Sequence, residues 1–491
     1  MKTHFWKLLF FISIVFSAEA QPVRLKFPRQ INIPNYNHYA PSISADGLTM
    51  LFASDYFVTD GNKVDLKVAY NKGGENWSSG EEVTMINKSG PLNLYGAHCI
   101  SSDANTIYFT SKKTGGVGGF DIWLTEKKGG SWSVPQNLGK PINTEEMEGF
   151  PSESSDGKYL FFVRCQTMSN QGCEDCKLLM AEHKGQGIFK EPITVSEKFA
   201  KTSILAPKIA KDGNTLIFSA KQTGGKGGYD MYISRKTGGN WSEPKNMDFL
   251  NTPDDDKYAD FTSQGDAIIY SSYTDGFLTL YKAKVAEEFQ PSKILLVTGK
   301  ALKAPNQATN GYLQISDNTS GAPISISRID VDGKFSAVLP VGNAYDVAVT
   351  SGNENFFWST TFDASKLSKS RKEDAEALVL NLKKGELFHS NKAIFDSTNF
   401  QFLNGASLEI KRLSKVISSH PDWKFEIVLY LAGISNNPPS EPETAFEQMK
   451  TTMLAGLAKA GITAEKITVS NGNSSAEEAN NYSGWALKIL P

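Results

Sequence analysis

Cysteine is scarce in this chain, four in 491 residues, and histidine nearly so, with six. His4, His38, His98, His183, His389 and His420 form no H-E-x-x-H pattern and lie beside no cysteine or carboxylate pair at ligand spacing, which argues against a zinc hydrolase. The G-x-S-x-G elbow of an esterase nucleophile is missing too. Charge of one sign is also lacking, since 51 basic and 53 acidic residues leave a formal net charge of −2. Nothing in that balance recommends nucleic acid or an anionic membrane as partner. Beyond the N-terminal region no apolar run is long enough to span a bilayer as a helix. No metal, cofactor or catalytic residue is expected from these patterns.

The N-terminal residues carry an address. Lys2 and Lys7 precede an apolar run from Leu8 to Phe16, and Ala18-Glu19-Ala20 has the small-x-small form of a signal-peptidase site. This predicts a secretory signal over residues 1–20, a mature start at Gln21, and export.

Export permits disulfides. Cys173-x-x-Cys176 lacks the second ligand pair of a zinc site. Cys165 ends one apolar strand and Cys176 starts the next, so a staple from Cys165 to Cys173 or Cys176 is expected. Cys99 lies in a different repeat and is expected to be buried and free.

The chain repeats itself over its first 290 or so residues. TGGVGGFDIWLTEKKGGSWSVP begins at Thr114 and TGGKGGYDMYISRKTGGNWSEP at Thr223, and their aspartates Asp121 and Asp230 stand 109 apart, two periods of about 55. Five copies align on turns at Asp46-Gly47, Asp103-Ala104, Asp156-Gly157, Asp212-Gly213 and Gln264-Gly265. Each turn leads into a strand-like run (LTMLFAS, TIYFTS, YLFFVRC, TLIFSA, AIIYSS), and a further strand follows (DLKVAY, DIWLTE, KLLMAE, DMYISR, TLYKAK). A strand-and-turn period of this size predicts a β-propeller of five blades, or six with a further degenerate copy. The fifth copy lacks an outer strand, whereas VRLKFPRQINIPN near the start is similar to the outer ends of copies two and four. The N-terminal segment is therefore expected to close the ring and remove the exposed edges.

Structural roles account for the repeat's own chemistry. Glycines allow left-handed turns, the aspartates accept backbone N–H groups at strand entry, and the tryptophans pack between sheets. Gly115-Gly116-Val117-Gly118-Gly119 precedes a strand rather than a helix, so it is not a phosphate loop. With P-S-x-S-x-D-G at Pro41 to Gly47, echoed from Pro151 to Gly157, the copies resemble TolB-like, tryptophan-aspartate-type propeller repeats over about Gln21 to Pro291.

A small β-sandwich is expected over 293–364. Val331-Asp332-Gly333-Lys334-Phe335 and Leu339-Pro340-Val341-Gly342 resemble the turns of carboxypeptidase regulatory-like modules, which implies a spacer. KLSKSRKEDAEA, within 365–383, reads as a linker or short helix. From 384 to 491 strand and helix patterns alternate, with Leu408, Leu413, Val416 and Ile417 at helical spacing. Lys384-Gly385, Ile394-Phe395-Asp396-Ser397 and Gly461-Ile462 resemble the C-terminal domain of the outer-membrane protein A family, which holds peptidoglycan. That family uses an aspartate and an arginine as ionic anchors. Ala432 and Met449 stand at those places here, which argues against conventional peptidoglycan binding. The fold class is thus multidomain and mainly β: propeller, sandwich, then an α/β sandwich.

Variation between copies supplies the candidate site. Three residues before the Pro41 position the copies carry His38, Tyr95, Glu148, Ile204 and Asp256. If the inner strands run alike, these converge on one mouth of the channel, where His38, Tyr95, Glu148 and Asp256 would meet a sugar, peptide or cation. The expected function is non-enzymatic binding or scaffolding of an envelope protein or glycan. The domain order resembles envelope proteins of gliding and type IX-secreting bacteria. A carbohydrate-binding or glycoside-active protein using Glu148 and Asp256 is the alternative.

Overall fold

The computed structural model describes residues 24–491 apart from 59–62, 91–95, 171, 185–186, 200–202, 223, 330, 352–356, 380–383, 432–433, 435–439 and 473–483. The expected signal segment, Tyr95 and Ala432 lie outside the described residues.

Each repeat folds into an antiparallel sheet, and five such sheets form a propeller. The inner strands are His38–Ile43, His98–Ile100, Met147–Glu153, Ser203–Ile209 and Ala259–Phe261. The predicted apolar runs form the second strands and the runs that follow form the third, as at Thr106–Ser111 and Asp121–Lys128. Arg24–Lys26 pairs antiparallel with Phe277–Lys284, placing Arg24 opposite Ala283. The N-terminal segment thus supplies the outer strand of the fifth blade, and the first blade packs against the fifth.

A buried asparagine fixes four of the blade connections. Asn143 donates to the Ile122 carbonyl and accepts from the Ile122 amide. Asn32 does the same for Leu280, Asn87 for Leu66, and Asn251 for Met231. The side-chain amide imitates a strand neighbour: its oxygen supplies the acceptor for the strand amide, and its N–H shares the strand carbonyl with a backbone amide such as that of Leu138. In the third blade the corresponding residue is Phe199, which is buried among apolar groups instead.

The sandwich pairs Ile294–Ala304 with Lys334–Pro340 in one sheet, and Pro323–Ile329, Gly311–Asp317, Ala344–Thr350 and Phe357–Asp363 in the other. Arg371–Leu378, expected as linker or short helix, is a strand parallel to Ile294–Ala304. Its charges suit either state. The register decides, because Ala377 is buried while Arg371 and Lys372 face solvent.

The last domain carries helices Ala406–Ser419 and Pro442–Lys459 on a four-stranded sheet of Leu387–His389, Trp485–Ile489, Phe425–Leu429 and Ile467–Asn471. Between 387 and 402 only Leu387–His389 and an isolated Phe395–Phe402 bridge are strand-like. One apolar core runs from the sandwich (Leu313, Val347, Phe357) into this domain (Ile410, Leu413, Met449). At their junction Asp346 accepts from both Lys392 and Arg412, and Glu409 accepts from Ser359.

Candidate functional site

The inner strands place the site. Three of them carry a bulge before the second half, with Ala40, Phe150 and Ala206 at positive φ, and Gly96 and Tyr258 take positive φ just ahead of the other two. The bulge resets the period-two alternation. The residues just past the Pro41 position then reach from blade to blade: Ser42, Cys99, Ser152, Lys208 and Asp260. Ser42 Oγ accepts from the Ile100 amide at 3.1 Å, Ser152 Oγ from Ile209 at 3.1 Å, and an Asp260 carboxylate oxygen from Ile43 at 2.9 Å. The Glu153 amide donates to the Cys99 sulfur.

Lys208 breaks this pattern because an ammonium cannot accept. Its Nζ donates to the His98 carbonyl at 2.7 Å and lies 3.3 Å from Ser42 Oγ. Those partners belong to the second and first blades, and neither adjoins the fourth, so the side chain crosses the axis. Lys211 Nζ likewise donates to the Ile43 carbonyl at 2.6 Å. Burial pulls the Lys208 ammonium below its ordinary range. Burial, assisted by Lys208, lowers His98 to about 3, and its Nε2 lies 2.9 Å from the Ala40 carbonyl. Glu153 accepts from the Tyr108 hydroxyl at 2.8 Å and is pushed up to about 8, chiefly by burial and then by Asp103.

The anticipated ring residues lie off this axis network. Glu148 is fully buried, accepting from Arg164 Nε at 2.7 Å, from the Thr144 hydroxyl and from the Thr144 amide. Asp256 is buried too and accepts from the amide and hydroxyl of Thr252; burial pushes its carboxyl up to about 6. His38 Nε2 lies 3.1 Å from the Ile33 carbonyl, burial lowers its pKa, and its Nδ1 meets no partner among the described residues. Ile204 is buried in the apolar core. His38, Glu148 and Asp256 each bond within their own blade, so the structure does not bring these three together as a ligand-facing set. Lys208 was legible only as a long cation where the matching position of copies one and three holds serine.

The two mouths differ. At the Asp-Gly turns the sandwich is attached: Ala45 packs with Ile294, Leu296 and Val338, and the Ser292 amide donates to Asp212 at 2.8 Å. At the opposite mouth the glycine-rich loops lie on the blade connections. A Cβ on Gly118 would overlap the Thr144 and Glu146 carbonyl oxygens, and one on Gly227 the Asp254 carbonyl oxygen. Asp121 accepts from the Val117 and Gly118 amides, and Asp230 from Lys226 and Gly227, as expected for strand-entry caps.

A short hairpin, Thr167–Met168 with Cys173–Glu174, leans over this mouth from the third blade. Met168 and Cys173 pack with Ala97 of the second blade and Tyr229 of the fourth, against Tyr258 of the fifth. Lys221 and Lys257 Nζ each lie 4.6 Å from the Tyr229 ring centroid. Lys257 also pairs with Asp255 at 2.9 Å. The disulfide joins Cys165 to Cys176, leaving Cys173 and Cys99 as buried thiols.

In the last domain Met449, the residue at the family's arginine place, is fully buried in the core. No helix of the described residues is long and apolar enough to cross a membrane.

The chain matches no protein-family model and no curated protein. Among solved structures it is similar to an oligogalacturonate lyase from Vibrio parahaemolyticus, at 12% identity and TM-score 0.33, over 56% of this chain and 96% of that one. TolB from Acinetobacter baumannii is similar at 14% identity and TM-score 0.29, over 63% and 64% of the two chains. An α-L-arabinofuranosidase from Lactobacillus brevis is similar at 14% identity and TM-score 0.35, over 54% and 97%. These neighbours do not distinguish a binding from an enzymatic role.

Proposed function

We propose that this chain is an exported, non-enzymatic binding or scaffold protein of the periplasm or the periplasmic face of the outer membrane. The observation that carries the reading is the committed state of the two carboxylates that hydrolysis would need. Glu148 is held by Arg164 and Thr144, and Asp256 by Thr252, both out of solvent. A hydrolytic pair must instead flank a substrate bond with room for water or for nucleophilic attack. Lys208 fills the axis where a substrate would otherwise enter.

In this reading the mouth opposite the sandwich meets an envelope protein or glycan. The sandwich and the last domain, joined by a common core and a buried ion cluster, hold the propeller at a fixed standoff. The resemblance of that domain to the outer-membrane protein A family supports docking in the envelope, and Met449 in the core weighs against a peptidoglycan anchor. The domain order supports a place with gliding or type IX secretion machinery.

A second reading, glycan capture or glycoside chemistry, draws on Asp256, whose carboxyl at about 6 has the character of a general acid. Incubating the full chain with peptidoglycan sacculi and a polysaccharide panel tests both. The scaffold reading expects no released sugar and no sacculus retention. Turnover would favour the second reading.

A further inference from the structure

Cys173-x-x-Cys176 stands beside Cys165 in the third blade. The sulfurs of Cys165, Cys173 and Cys176 all lie within 4.8 Å of one another, and two of them are already bonded. The third, Cys173, is a free thiol on the hairpin strand facing Met168. Cys165 and Cys173 are buried, whereas Cys176 is partly exposed.

We propose that this cluster is a thiol–disulfide exchange site that moves its free thiol from buried Cys173 to accessible Cys176, and there takes a small or protein-borne disulfide as substrate. In the first step Cys173 Sγ, as thiolate, attacks Cys165 Sγ. The Cys165–Cys176 bond breaks, a Cys165–Cys173 bond forms, and the electron pair leaves on Cys176, which takes up the proton that Cys173 gave to solvent. No net oxidation occurs. In the second step the Cys176 thiolate attacks an incoming R–S–S–R, forming Cys176–S–S–R and releasing R–S⁻.

Attack at Cys165 is favoured over attack at Cys176 because the leaving thiolate is then the more solvated one. The Ser169 amide and the Lys257 ammonium support the Cys173 thiolate. Tyr229, Tyr258, Asp255 and Glu174 also face this pocket and carry no positive charge to add. Burial holds the Cys173 thiol up at about 11, so exchange is slow near neutrality and rises about tenfold per pH unit below that value. The site therefore behaves as a gated thiol rather than a fast oxidoreductase. Exchange also rebuilds the hairpin that leans over the open mouth.

The test is peptide mapping of the full-length folded protein after incubation with oxidised glutathione at pH 7 to 9. The expected products are a glutathione adduct on Cys176 and a Cys165–Cys173 disulfide, with more adduct at higher pH. Cys173→Ser is expected to give no adduct and an intact Cys165–Cys176 bond. An adduct on Cys173 or Cys165, or no adduct after prolonged exposure at pH 9, would overturn the proposal. Cys176→Ser gives an independent reading: with oxidised glutathione as oxidant, reduced to two glutathione thiols, it is expected to form Cys165–Cys173, and two free thiols there would also overturn the proposal.

Discussion

Lys208 Nζ in the fourth blade donates to the His98 carbonyl in the second at 2.7 Å, across the axis of the propeller. Ring closure by the N-terminal strand brings non-neighbouring blades near enough for one side chain to bridge them. The interaction is a local departure from a ring of small acceptors, and it ties the fourth blade to the second.

Removing that side chain tests how much the axis depends on it. Lys208→Ala leaves a cavity and an unpaired buried carbonyl, and is expected to destabilise the propeller by about 2–4 kcal/mol. Lys208→Met keeps most of the volume and loses only the polar contacts, so it is expected to cost less. Urea denaturation followed by tryptophan fluorescence gives both values. Equal losses would show that the polar contacts, not packing, set the effect.

Acidity provides a second test. Glu153 is raised from its ordinary value to about 8 in the folded state, so the folded protein holds a proton that the unfolded chain releases. Its contribution is present below the unfolded value and is lost as pH rises through about 8. His98 is lowered to about 3, so its contribution is present at neutral pH and declines as pH falls from about 6.5 toward 3. Glu153→Gln is expected to flatten the loss between about pH 4.5 and 8 without altering the decline caused by His98. Melting temperature against pH for wild type and variant reads this directly.

The junction of the sandwich and the last domain rests on Asp346, which accepts from Lys392 and Arg412 where water is excluded. Asp346→Asn leaves two cations without their shared partner, and breaking a buried pair in this way costs about 3–5 kcal/mol. Asp346→Leu with Lys392→Met is expected to recover part of that loss, since it removes one of the two stranded cations and the other, Arg412, keeps Glu409 at 3.4 Å. Denaturation of the full chain, with proteolysis to locate the loosened region, checks the order of the three proteins.

The asparagine clamps should behave alike wherever they occur. Asn143→Ala removes the acceptor of the Ile122 amide, while the Ile122 carbonyl keeps the Leu138 amide, and is expected to cost about 1–3 kcal/mol. Hydrogen exchange should rise first at Ile122. A loss confined to the surface loop would contradict the clamp.

The repeat made the blades legible because each strand carries its own β-branched and aromatic pattern between turns. The ring closure was legible as well, since Ile31-Asn32 matches Ile142-Asn143 and Leu250-Asn251. The clamp itself was not recognised, although the same pairs spell it out. The axis was less legible, because a left-handed residue such as Ala40 or Phe150 shifts every later side chain to the other face, and no composition rule marks alanine or phenylalanine for positive φ. Arg371–Leu378 was misread for a related reason: its alternating charges suit a helix until the parallel neighbour Ile294–Ala304 is in place.

The most direct test of the non-enzymatic reading is reducing-end release by the full chain from a broad panel of polysaccharides, measured beside Glu148→Gln and Asp256→Asn. The account predicts no release above background from any of the three proteins. Turnover by wild type that either substitution abolishes would contradict it.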